Sequence, residues 1–83
     1  MSAILELVAA GFRMFPLGDP DCPESLVYMR ERGHARDMIR VYGPGECEAV
    51  RMVHRTLTRR TEGTTQQVVT VVLGWSVLDV WGR

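Results

Sequence analysis

The chain has 83 residues, 46% of them hydrophobic, and its ten basic side chains, all arginine, balance ten acids for a formal net charge of zero. A chain of this length makes one domain, residues 1–83, with a core small enough that a partner subunit would help it bury apolar surface. Zero net charge excludes a general pull toward nucleic acid or an anionic membrane and favours self-association.

The charge is unevenly spread: residues 1–24 sum to −3, residues 25–60 to +4, and the remainder to −1. Arginine throughout, with no lysine, favours bidentate and stacked contacts over simple solvation. The two cysteines, Cys22 and Cys47, permit one disulfide but no framework of them. No apolar run approaches the roughly 20 residues of a membrane span, and no signal-peptide pattern opens the chain. The expectation is therefore a cytoplasmic protein with no membrane association.

In chain order, SAILELVAAGF opens with Ser2 as a candidate N-cap, and Ile4, Leu7, Val8 and Gly11 recur at helical spacing. Gly11 suits the residue just past the helix end. FRMFPL reads as a short strand edged by Pro16, and GDPDCPES, with two prolines and three acids, as a loop.

SLVYMRER and ARDMIRVYG form the arms of a β-hairpin turning at Gly33-His34. A two-residue loop sets Glu31 opposite Arg36, Arg30 opposite Asp37, Met29 opposite Met38, and Tyr28 opposite Ile39, so that both charged pairs attract. A three-residue loop would oppose Glu31 and Asp37. Glycine in the first loop position also suits a type II′ turn.

GPGECEAVRMVHRTLTRR follows. Glu46 and Glu48 sit where a helix N-terminus favours acids, and Arg59 and Arg60 where its C-terminus favours bases. With Ala49, Val50, Val53 and Leu57 as an apolar stripe, this predicts a helix over 45–60. Residues 64–74 mix two signals. The Val and Thr content favours a strand, whereas Thr64 and Gln67 form a capping box and Val68, Val71, Val72 and Trp75 share a helical face. The helix is the reading adopted. SVLDVWGR ends the chain as an apolar segment, expected to be helical, that presents Val77, Leu78 and Trp81.

The resulting expectation is an α+β fold: a helix, a three-stranded antiparallel sheet, a helix and an apolar C-terminal segment. That order of elements resembles double-stranded-RNA-binding domains and some small toxin ribonucleases in topology alone, with no shared motif.

Five candidate sites emerge. His34, at a hairpin tip, is a candidate proton donor by residue type, but no nucleophile elbow, P-loop or HExxH accompanies it. Cys22, His34, Cys47 and His54 supply the residue types of a zinc site without its close ligand spacing. Asp19, Asp21 and Glu24 lack the glycine and spacing of a calcium loop. No cofactor or metal is therefore expected. Arg51, Arg55 and Arg59, at i, i+4, i+8 on the expected helix, are candidate nucleic-acid contacts, or a solvated face. Trp75, Leu78 and Trp81 are candidate protein-interaction residues, because tryptophan is enriched at binding hot spots.

Together these features favour a small protein-binding or adaptor module, self-associating as a homodimer, more in keeping with binding than with enzymatic work. The alternatives are nucleic-acid binding through the Arg51, Arg55 and Arg59 face and, more weakly, a ribonuclease-type toxin with His34 as general base.

Overall fold

The computed structural model of the chain describes the backbone of residues 3–19 and 22–75 and the side chains of 3–15 and 25–75. A first helix, α1 (Ala3–Ala9), leads into five strands, β1 (Arg13–Asp19), β2 (Cys22–Arg32), β3 (Ala35–Gly43), β4 (Glu46–Val53) and β5 (Thr56–Gly63). A second helix, α2 (Thr65–Leu73), follows them. The strands form one antiparallel sheet in the order β1-β2-β3-β4-β5. Every strand therefore pairs only with its neighbours in sequence.

This corrects the expected three-stranded sheet. The α+β class stands, but the sheet has five strands. The helix expected over 45–60 is instead the β4–β5 hairpin. Of the acids and bases taken for helix-dipole partners, Glu48 and Arg60 meet across strands at 3.8 Å, and Arg60 also lies 3.5 Å from Glu62 on its own strand. The segment read as a loop, GDPDCPES, is mostly strand, with Asp19 in β1 and Cys22 onward in β2. With five strands in a meander, the topological likeness to double-stranded-RNA-binding domains and toxin ribonucleases falls away.

The β2–β3 hairpin has the register that its charges favour, with Glu31 opposite Arg36, Arg30 opposite Asp37, Met29 opposite Met38 and Tyr28 opposite Ile39. Gly33 takes the positive φ of 54° that the first position of a II′ turn requires. Gly11, at φ 95°, ends α1 as its position suggested. Residues 65–73 are helical, and the capping box is in place. The Thr64 side chain accepts from the Gln67 backbone N–H at 3.2 Å, and Gln67 Oε1 accepts from the Thr64 N–H at 3.0 Å. Propensity for strand yields there to the cap and to burial of Val68, Val69 and Val72.

Both helices cover the same face of the sheet. Leu7 of α1 and Val68, Val69 and Val72 of α2 meet Tyr28, Ile39, Cys47 and Ala49 from three successive strands, with Phe12 closing one end. These side chains alternate along their strands, as one buried face demands. Cys47 is a free thiol in this core, so the disulfide with Cys22 is not formed.

Candidate functional site

Two features stand out. The first is a charged cluster inside the helix-covered side. Asp37 on β3 accepts hydrogen bonds from Arg51 Nε at 2.6 Å, from Arg51 Nη2 at 2.9 Å and from Arg30 Nη2 at 2.9 Å. The three side chains are 2%, 0% and 8% exposed, respectively. Burial alone would raise the Asp37 pKa, but the hydrogen bonds and charges of the two arginines outweigh it and hold the carboxyl below its usual range. Arg30 further donates to the Ala10 carbonyl at 3.1 Å and lies 4.4 Å over the Phe12 ring. Arg51 lies 5.5 Å over the ring of Trp75. Charges this deep persist only when paired and bonded.

The cluster relocates the arginines predicted to share one helix face. Arg51 is interior, on β4; Arg55 sits in the β4–β5 turn; Arg59 is exposed on the edge strand β5, opposite Arg51. They form no continuous row. Of the residues expected to bind protein, Trp75 is half-buried against the core, while Leu78 and Trp81 lie outside the described residues.

The second feature is the other face of the sheet, which no element covers among the described residues. Phe15, Val27, Met29, Met38, Val50 and Met52 alternate with the core residues and share this face. Leu57 joins them from β5, 54% exposed. Charged side chains intersperse the stripe in balanced pairs: Arg36 with Glu31 at 2.7 Å, and Arg60 with Glu48 and Glu62. Arg40 donates to Ser25 Oγ at 3.1 Å and stacks 4.9 Å over the Tyr42 ring, whose hydroxyl donates to Glu48 at 3.0 Å. Two shallow grooves cross the face. One, of about 390 Å³, runs between Val27, Met38, Val50 and Leu57. The other, of about 570 Å³, leads from Met38, Val50 and Met52 to His34 and His54.

Sequence reasoning missed this face, although it left a signal. Leu26-Val27-Tyr28-Met29, Met38-Ile39 and Ala49-Val50 put apolar residues at consecutive strand positions, so both faces of the sheet are apolar. A half-solvated strand would alternate apolar with polar.

The sheet also brings together two residues far apart in sequence. His34 and His54 occupy adjacent hairpin tips, with ring centres 4.4 Å apart and planes inclined by 35°. The His54 N–H donates to the His34 carbonyl at 3.4 Å. Cys47 lies at the far end of β4, seven residues from His54 or about 23 Å at the usual strand rise, so the four-residue zinc set does not converge. The side chains of Cys22, Asp19, Asp21 and Glu24 lie outside those described. Among the described residues, no group of three or more His, Cys, Asp or Glu side chains could hold a metal, and no helix is long and apolar enough to cross a membrane. No family model, curated protein or solved structure matches this chain.

Proposed function

We propose that this protein is a small binding module that pairs with a second copy of itself through the uncovered face of its sheet. The observation that carries this reading is the apolar stripe of Val27, Met29, Met38, Val50 and Met52 on that face, which no element covers among the described residues. Large apolar patches rimmed by polar groups mark interaction sites, and methionine suits surfaces that repack on binding.

A second copy is favoured over other occupants by charge and by size. The face carries four arginines and four glutamates, most of them already paired with one another. A near-neutral, mixed-sign rim offers little to a polyanion, whereas it complements its own rotated image. Five strands of about eight residues span roughly 20 by 25 Å, on the order of the ~800 Å² per partner of a stable interface once side-chain relief is counted. Two such faces would stack about 10 Å apart as a β-sandwich, each sheet keeping its helices outside.

Size-exclusion chromatography with light scattering tests this. The wild type should run at twice the chain mass, with little dependence on salt, and Met38→Glu should run as a folded monomer. A wild type that stays monomeric at high concentration, or a Met38→Glu variant that still dimerises, sinks the proposal.

A further inference from the structure

We propose that His34 and His54 form a two-histidine site for a borderline transition cation such as Zn²⁺, built where the β2–β3 and β4–β5 hairpin tips meet.

Three observations converge on it. The first is the distance. Two imidazoles bound to one cation through metal–nitrogen bonds of about 2.0–2.1 Å, at angles between roughly 90° and 109°, have ring centres about 4.5–5.2 Å apart. The rings here are 4.4 Å apart and inclined by 35°, close to that separation, so rotation of the two exposed side chains to aim a nitrogen of each at one point completes the geometry.

The second is the backbone. His54 and Arg55 both adopt left-handed conformations, φ 50° and 67°, in a two-residue turn. A turn of this kind needs positive φ at both central positions and is ordinarily built from Asn-Gly. Placing two residues with full side chains there stores strain. An Asn-Gly pair would close the hairpin with less strain, whereas the His54-Arg55 turn places the His54 ring beside His34. The third is anchorage: the His54 N–H to His34 carbonyl bond fixes the two tips to each other, so the pair is held by backbone rather than by chance side-chain contact.

The chemistry sets the class of ion. Neutral imidazole nitrogens select zinc, copper and nickel over magnesium and calcium, which take oxygen ligands. The chain supplies two donors, which leaves the remaining coordination positions to solvent, and the neighbouring Arg55 charge weakens a dication. The site is thus exchangeable and exposed rather than a structural centre that the fold depends on.

Isothermal titration of the full chain with ZnCl₂ near neutral pH, with MgCl₂ as the control ion, provides the test. Wild type should bind one zinc per chain and no magnesium. His34→Gln and His54→Gln should each abolish the zinc heat. The double variant His54→Asn/Arg55→Gly should also lose zinc while folding at least as well, because Asn-Gly is the better turn. That separates loss of a ligand from loss of structure. Absence of zinc binding by the wild type, or binding that survives in both single variants, overturns the proposal.

Discussion

Arg51 places its Nε 2.6 Å from Asp37 Oδ1 with neither side chain reaching solvent, and Arg30 approaches the same carboxylate from the neighbouring strand at 2.9 Å. One acid thus bonds two buried cations at once, and this shared position ranks the mutations. Asp37→Asn removes the carboxylate that both buried arginines bond and should cost on the order of 3–5 kcal/mol. Arg51→Met keeps a long apolar stem and leaves Asp37 still paired with Arg30, so it should cost less. Urea denaturation of both variants measures the order, and a greater loss in Arg51→Met would show that Arg51, not Asp37, is the centre of the cluster.

The same cluster sets an acid limit. An unfolded aspartate titrates near about 3.9, and in the fold Asp37 is held lower because the arginine hydrogen bonds outweigh the opposing effect of burial. A depressed folded pKa contributes stability that is fully present above the unfolded value and is lost as pH falls through the folded one. Carboxyl-carbon NMR across an acid titration should show the Asp37 signal still that of the carboxylate at the unfolded midpoint of about 3.9. An Asp37 midpoint at or above the ordinary value would contradict the assignment.

The strained turn makes a prediction about stability independent of any metal. His54→Asn/Arg55→Gly should raise the free energy of unfolding by about 1 kcal/mol, because relief of two left-handed side-chain residues exceeds the extra chain entropy of one glycine. An unchanged or lowered urea midpoint would mean that the His54–His34 contact contributes more to the tip than its backbone costs.

At the other tip, the opposite substitution should harm. Gly33 sits at φ 54°, and Gly33→Val should cost on the order of 1–3 kcal/mol. Thermal melts followed by circular dichroism suffice to see it, and a melting temperature equal to wild type would mean that the turn rearranges at no cost.

These two turns explain what could be read from the sequence. The Gly33-His34 tip announces itself, because glycine and complementary cross-strand charges both select one register, and that register is the one formed. The His54-Arg55 tip carries no Gly, Asn, Asp or Pro, so nothing local marks it as a turn. With the turn hidden, Ala49, Val50, Val53 and Leu57 passed for a helical stripe, and Glu48 and Arg60, which pair across strands, passed for dipole partners along one helix. The capping box of Thr64 and Gln67 was legible because it needs only two side chains three apart. The Asp37 cluster was half legible. Arg30 opposite Asp37 follows from the first hairpin, but Arg51 opposite Asp37 requires β4 to be a strand. The histidine pair was invisible for the same reason.

The sheet order also governs how the chain assembles. Because each strand pairs with the one before it, hairpins can close through short loops and lengthen the sheet one strand at a time, at small entropic cost. The contact between α1 and α2 is different in kind. It joins segments at opposite ends of the described chain, with the whole sheet between them. Its cost in loop-closure entropy is far lower once the sheet has formed and already fixes the two ends within one sheet's width of each other. The helices should therefore dock last, and substitutions at Leu7 or Val72 should accelerate unfolding while leaving the folding rate nearly unchanged.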